Sequence, residues 1–376
     1  MNDAILLARA YLSRVAEPPA PALAEFVAEV GPVEAAARVR DGRVGERVAA
    51  ETGVRRAVHR AEDDLAAAAA AGARLVVPEH AEWPAEAFAA FAASGSAELA
   101  PPVALWARGP VSLQALCAQA VAVVGARAAT GYGAHVAAEL AAGLADRGHT
   151  VVSGAAIGID GVAHRAALAV HRPTVAVLAC GVERAYPASH QLLLERIAAS
   201  GLVVSEYPPG SVPARHRFLV RNRLIAGLAV GTVVVEAGLR SGAQRTANDA
   251  ASLGKAVMAV PGPVTSGMSA GCHRLIREGA LLVTRSEEVV EAVTPIGMHL
   301  AEPPPPGSRR PTDGLNEAAA LVHDALPVRA SRDTRWLALE AGVPIGAVRA
   351  ALVVLERRGL VEHREGRWRR RIVEPA

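Results

Sequence analysis

The sequence predicts an α/β protein built on a doubly wound, mostly parallel sheet, with a helical segment ahead of it and a smaller domain behind it. Three observations carry that expectation. Seven near-continuous apolar runs alternate with amphipathic helical patterns between residues 120 and 293, the texture of strands covered on both faces of a parallel sheet. The chain is 51% hydrophobic but only 3% aromatic, so its core must be assembled from Ala, Val and Leu, which suits helices laid on strands. A proline-rich break, Glu302-Pro303-Pro304-Pro305-Pro306-Gly307, then separates the alternation from a tail of different texture. At 376 residues there is room for two or three domains of roughly 150 residues.

Residues 1–71 are Ala-rich and helical in pattern, interrupted at Pro18-Pro19, Gly31-Pro32, Gly42 and Gly45. Those breaks imply several short helices rather than one rod. Arg55, Arg56, His59 and Arg60 fit either a solvated helix face or a nucleic-acid contact. From Ala73 the texture changes: Arg74–Pro78 and Val103–Ala107 are short β-type runs bounded by Pro and Gly, with a helical stretch near Phe88 and Phe91 between them.

The regular alternation follows. Strands are expected at Ala120–Gly125, Thr150–Gly154, Thr174–Gly181, Leu202–Glu206, Thr232–Ala237, Ala256–Pro261 and Leu281–Thr284. Helices are expected at Gly131–Arg147, Gly161–Val170, His190–Ser200, Arg221–Leu228, Ala243–Leu253, Cys272–Glu278 and Glu287–Val293. This sheet domain spans residues 72–300, and an extended proline-rich linker covers 301–312. In the last domain, 313–376, helical patterns at Leu315–Leu326, Thr334–Ala341 and Ile345–Arg358 precede two strand-like runs, Leu360–His363 and Arg367–Arg371. Three helices and an Arg-rich hairpin make the pattern of a winged helix-turn-helix. Such modules bind duplex DNA or proteins, and the helix at 345–358 carries only Arg349, Arg357 and Arg358 as cations.

The net charge of +3 is mildly basic, compatible with a nucleic-acid partner without requiring one. Lys255 is the only lysine among 40 basic residues; codon bias accounts for that, so the position of each arginine informs more than the count. Three widely spaced cysteines with no CxxC exclude a disulfide framework and a zinc knuckle, and no metal or cofactor is expected. No apolar run reaches the roughly 18 residues of a membrane helix, and residues 1–9 lack a signal-peptide n-region. A soluble cytoplasmic protein without membrane contact is the expectation.

The chemistry gathers at strand ends. Arg215-His216-Arg217-Phe218 runs into Arg221-Asn222-Arg223 and then into an apolar helix and strand, which puts cations and a ring at the crevice where α/β sheets bind ligands. Cations neutralise phosphates and rings stack on bases; a solvated basic face beside a core Phe is the other reading. The turn Val124-Gly125-Ala126-Arg127 aims backbone N–H groups at an anion ahead of a helix, and Arg240-Ser241-Gly242 is a second such turn. The first turn lacks GxGxxG and the second strand has no terminal acid, so a dinucleotide site is disfavoured, and no GxxxxGK[ST] is present. Asp160 and His164, four apart, fit an acid–base pair or, more plainly, a helix-start Asp supported by a His.

These residues resemble the bacterial DNA-processing protein A (DprA/Smf) family across residues 72–294. The match includes Val124–Arg127, Ser153-Gly154, Gly158–Gly161 with His164, Gly181–Pro187, Ser205–Gly210, Arg221–Leu228, Val235–Ala237, Arg240–Gly242, Pro261-Gly262 and Gly279-Ala280. The resemblance implies an extended Rossmann-like domain, an N-terminal SAM-like domain and a winged-helix tail. It further implies a homodimer that binds single-stranded DNA without hydrolysing it and loads the recombinase RecA on incoming strands during natural transformation. By position, the DNA site would use Gly125, Arg127, Arg215, Phe218, Arg221, Asn222, Arg223, Arg240, Ser241, Gly242 and Arg245, with Arg215 and Phe218 lying before the helix that starts at Arg221. Ala126 stands where the family has Ser, Ile157 where it often has Arg, Ala243-Gln244-Arg245 in place of Ser-Leu-Ile, and His273 in place of Asn; Arg245 is the candidate to compensate for the missing arginine at 157.

An enzyme is the competing class. Nucleotide-monophosphate phosphoribohydrolases carry Gly-Thr and Glu near a strand end, as Gly231-Thr232 and Glu236 do here, and Glu236 could serve as a general base. That class has a Pro-Gly-Gly-x-Gly-Thr turn, which this chain lacks.

Overall fold

In the computed structural model, which describes residues 3–295 and 311–371, the apolar runs pair into one nine-stranded sheet. The chain divides into two compact units, Met1–Ala301 and Glu302–Ala376. The first opens with five helices, α1 (Asp3–Val15), α2 (Pro21–Val30), α3 (Pro32–Asp41), α4 (Glu46–Thr52) and α5 (Ala61–Ala70). Their breaks fall where Pro and Gly predict: Pro21 and Pro32 open α2 and α3, and Gly42 closes α3 in the left-handed conformation.

The sheet region follows as β1 (Ala73–Val76), α6 (Ala85–Ser94), β2 (Leu105–Arg108), α7 (Leu113–Cys117), β3 (Ala120–Val124), α8 (Gly131–Asp146), β4 (Thr150–Ser153), α9 (Ile159–Ala169) and β5 (Thr174–Leu178). It continues with α10 (Gln191–Ser200), β6 (Leu202–Ser205), α11 (Arg215–Leu228), β7 (Gly231–Val234), α12 (Gly242–Ser252), β8 (Ala256–Ala259), α13 (Ala270–Arg277), β9 (Leu281–Leu282) and α14 (Ser286–Val293). Strand order is β1-β2-β6-β5-β4-β3-β7-β8-β9. Strand β2 runs antiparallel to both its neighbours, pairing Trp106 with Ser205 on β6 and Leu75 on β1, and the remaining pairings of this sheet are parallel.

Along β3 the side chains alternate between two cores. Ala120, Ala122 and Val124 face Leu224, Ile225 and Leu228 of α11, whereas Val121 and Val123 face Leu140 and Leu144 of α8 and Ile159 of α9. This period of two, with both faces dry, is what makes the run read as continuously apolar. The strand order reverses between β3 and β7, whose register sets Val124 beside Val234. That is the switch point at which α/β sheets open a crevice beyond their carboxyl ends.

The N-terminal helices pack in the same unit as the sheet. Arg9 donates to Val103 O at 2.9 Å and pairs with Glu79 at 2.6 Å, while Arg14 holds Asp64 of α5 and donates to Pro209 O at 2.7 Å.

The second unit contains α15 (Glu317–Ala325), α16 (Thr334–Ala341), α17 (Ile345–Arg357) and the hairpin β10 (Val361–Arg364) with β11 (Arg367–Arg370). Helices α16 and α17 bend by 103° at Gly342–Pro344, within the range of a helix-turn-helix. Glu365 and Gly366 take φ of 49° and 76° in the two-residue turn, as a tight hairpin requires. Leu337, Val348, Leu352, Leu355 and Leu360 form its own core. Most of the proline-rich linker expected at 301–312 lies outside the described residues.

Candidate nucleic-acid interface

Three segments converge at the switch point and enclose a crevice of about 830 Å³. The turn after β3 supplies Gly125 and Arg127, the first half of α11 supplies Arg215, Phe218, Arg221 and Asn222, and the turn into α12 supplies Arg240, Ser241 and Gly242. Gly125 is small for a packing reason, since a Cβ there would sit 2.6 Å from Ile159 Cγ1. Ser241 caps α12, its Oγ accepting the Ala243 N–H at 3.3 Å, and the Gln244 N–H bonds Ser241 O at 3.2 Å; the positive end of the α12 dipole thus faces the crevice and favours an anion. Asn222 Nδ2 donates to Gly242 O at 3.3 Å and holds this turn against α11.

Helix α11 begins at Arg215 rather than at Arg221. Arg215 and Phe218 therefore stand on its first turn, not on a preceding loop. Arg127 lays its guanidinium over Phe218, 5.6 Å from the ring centroid, and Tyr186 meets the same ring at 5.0 Å and 40°. These three side chains also border an adjoining, mostly apolar chamber of about 300 Å³ with Ile157 and Cys180. Tyr186 is 40% exposed. The expected site omits it, although the Gly181–Pro187 motif contains it; an isolated Tyr after a strand offers no signal that it will meet a ring on α11.

Arg127, Arg215 and Arg240 are exposed, and none of them has a carboxylate within ion-pair distance among the described residues. Three cations without a carboxylate partner among the described residues, beside two rings and the positive end of a helix, suit a polyanion carrying planar groups.

The other arginines of the stretch are spoken for. Arg221 is buried, donating to Gly154 O at 2.9 Å and to Val177 O. Burial pulls its guanidinium down to about 10 although Asp160 opposes the shift, so it remains a cation at neutral pH and lends the crevice floor a positive charge. Gly154 must be glycine here, because a Cβ would fall 2.6 Å from Arg221 Nη2 and 2.8 Å from Asp160 Oδ2. Arg223 points away from the crevice: only 1% exposed, it pairs with Glu206 at 2.8 Å. Arg245 does not line the crevice either; it pairs with Glu98 and with Asp249, one helical turn on. Neither is placed to meet a ligand in the crevice.

The catalytic alternatives lose their residues to structural roles. Glu236 is 2% exposed and lies outside the crevice lining, with Oε1 accepting the Thr130 hydroxyl at 2.6 Å and Oε2 the Thr130 N–H at 2.9 Å. Thr130 in turn caps α8 through Gly133 N–H at 3.1 Å, so this carboxylate holds a helix start in place. Asp160 and His164 are not bonded to one another. Asp160 Oδ2 accepts the Gly154 and Ala156 N–H groups at 3.2 and 3.4 Å, and burial pushes its carboxyl up against the opposing pull of Arg221. His164 bonds Thr174 instead, at 2.8 Å, so the expected support of Asp160 by His164 is absent. Among the described residues no cluster of His, Cys, Asp and Glu is arranged to hold a metal ion, and the three cysteines are buried and unpaired with one another.

The fold and site together define a doubly wound α/β protein whose switch-point crevice is lined by cations and aromatic rings. Residues 74–294 match the family of DNA recombination-mediator protein A. A DprA protein of Mycobacterium tuberculosis is 54% identical over 98% of this chain and 95% of its own length, and the Smf protein of Escherichia coli is 38% identical over 69% of each chain. The chain therefore belongs to the DprA/Smf family of recombination mediators. The crystal structure of DprA from Streptococcus pneumoniae superposes with a TM-score of 0.59 at 31% identity, covering 71% of this chain and 90% of that one. DNA processing protein A of Helicobacter pylori, which has a unique single-stranded DNA binding mode, gives a TM-score of 0.50 at 28% identity over 58% of this chain and 94% of that one.

Proposed function

We propose that this chain binds single-stranded DNA in the switch-point crevice, without turning it over, and acts as a homodimeric mediator. It protects incoming strands and loads RecA during natural transformation, in the cytoplasm. The observation that carries the reading is the group of Arg127, Arg215 and Arg240, unpaired among the described residues, around the Phe218–Tyr186 ring pair. Phosphates displace counterions at the cations while one base lies on Phe218. The DNA contacts assigned are Gly125, Arg127, Arg215, Phe218, Arg240, Ser241 and Gly242, with Arg221 and Asn222 shaping the floor. RecA and the second protomer come from the family resemblance. The second protomer has a candidate face in edge strand β9, where Leu281 and Leu282 are each about half exposed; an unpaired apolar edge of this kind favours association.

The test is binding of an oligo-dT strand over a salt series. Three phosphate contacts give a slope of about −2 in log affinity against log salt, at about −0.7 per contact. Arg127→Ala removes one contact and lowers the slope accordingly, and Phe218→Ala costs about 1–3 kcal/mol. Wild-type affinity in both folded variants at low salt defeats the assignment. Release of free base from nucleoside monophosphates would instead support the enzyme class.

A further inference from the structure

The first turn of α11 is poorly suited to stand alone. Its N-cap, Ala214, makes no side-chain capping bond, and its first turn contains no acid. Arg215, His216 and Arg217 occupy the positive end of the helix dipole, where cations are unfavourable. The missing anion comes from about two hundred residues earlier in the chain. Glu17, just beyond α1, accepts Arg217 Nε at 2.8 Å on Oε1 and Arg217 Nη2 at 2.9 Å on Oε2, and it faces His216 Nε2 at 3.2 Å. Arg55 of the N-terminal helical region closes the group at 2.6 Å. Arg217 is fixed on its other sides too, with its guanidinium 4.6 Å from the Tyr207 ring centroid and Nη1 on Val212 O at 2.9 Å.

We infer that Glu17 is a positioning residue for the DNA crevice: by clamping Arg217 it holds the first turn of α11 wound, which fixes Arg215 and Phe218 on either side of the clamped residue. Burial would raise the Glu17 carboxyl, but bonds from Arg217 and Arg55 outweigh it and hold the group below its ordinary value, so the clamp stays charged at neutral pH. The N-terminal helical region thus lends the crevice no lining residue and instead sets the geometry of one of its walls.

This inference rests on the crevice being the DNA site, and charge makes it separable from that reading. Removing a carboxylate near the crevice raises the local positive potential, which by itself strengthens binding of a polyanion. Loss of a clamp weakens it. Glu17→Gln is therefore expected to lower oligo-dT affinity by about five- to tenfold, the scale of a lost helix-terminal anion, and to speed amide exchange at residues 215–219 while the sheet strands exchange as in the wild type. Glu17→Asp, which keeps the charge, recovers part of both effects. Equal or tighter binding by Glu17→Gln, or weaker binding with unchanged exchange at 215–219, overturns the clamp. If Arg127→Ala also binds as the wild type does, the site reading fails as well, whereas weakening by Arg127→Ala alone confines the failure to Glu17. Should Glu17→Gln not fold, Arg217→Gln breaks the same clamp from its other side, and wild-type amide exchange at residues 215–219 in that variant overturns the inference.

Discussion

Arg221 and Arg223 stand two residues apart on α11, and the contrast between them shows how a cationic stretch divides its labour. Arg221 lines the crevice floor. Arg223 neutralises Glu206 in the interior, where burial pushes the Glu206 carboxyl up despite the guanidinium beside it. Breaking one side of such a pair strands a charge, at a cost of about 3–5 kcal/mol. Arg223→Ala is thus expected to lower the urea midpoint markedly while the folded protein keeps its oligo-dT affinity. The double variant Arg223→Met with Glu206→Leu recovers most of the loss, because matched apolar groups substitute well for buried ion pairs. A drop in affinity at constant stability would return Arg223 to the DNA surface. The sequence shows four arginines between 215 and 223 and identifies the stretch as the cationic one, but not which of them reach a ligand. That depends on acids supplied from elsewhere: Glu17 two hundred residues upstream of Arg217, and Glu206 at the end of β6. Sequence proximity carries no trace of either pairing.

Helices and strands were legible wherever their apolar period was long. The boundaries of α8, α12 and α14 follow the expected ones closely because Thr130, Ser241 and an acidic first turn announce them. The start of α11 was not legible, since Arg215–Val220 lack a buried stripe and Ala214 is no cap; tertiary bonds, not local propensity, wind that turn. A second element owes its stability to a concealed polar tie. Thr174 donates its hydroxyl to Val151 O at 2.6 Å, so its oxygen accepts from His164 Nδ1–H, and α9, β4 and β5 are joined at one hydroxyl that the imidazole completes. Burial pushes that imidazole down to about 3. Its folded value lies below the unfolded one of about 6.5, so the unfolded state takes up the proton first. The stability is present in full above pH 6.5 and is lost as pH falls towards 3. This one group contributes a slope of about 1.4 kcal/mol per pH unit in that window. Thermal melts from pH 7 to 4 should show the slope in the wild type and a shallower one in His164→Gln, even though the variant starts less stable at pH 7. Parallel curves would mean that carboxylates alone set the acid limb.

On the scale of the whole molecule, the parallel alternation was readable because each strand carries its own apolar run. The strand order was not, and neither was the antiparallel placement of β2 between β1 and β6, since both depend on pairings between distant segments. The order matters for function: the reversal between β3 and β7 brings Arg127 and Arg240 into one crevice although more than a hundred residues separate them. All crevice residues belong to the first compact unit. The second has a core of its own and none of the crevice lining; its exposed positions mix apolar residues of α17, Ile345, Val353 and Val354, with Arg349, Arg357 and, on the hairpin, Arg364 and Arg367. A chain ending at Ala301 should therefore bind oligo-dT within about twofold of the full chain and with the same salt slope, because the number of phosphates neutralised does not change. RecA filament assembly on the coated strand, run side by side for both chains, then reports what the C-terminal unit adds beyond strand binding. A tenfold loss of oligo-dT affinity with a shallower slope in the shortened chain, at unchanged stability of the sheet, would place phosphate contacts in the C-terminal unit and make the crevice only part of the DNA surface.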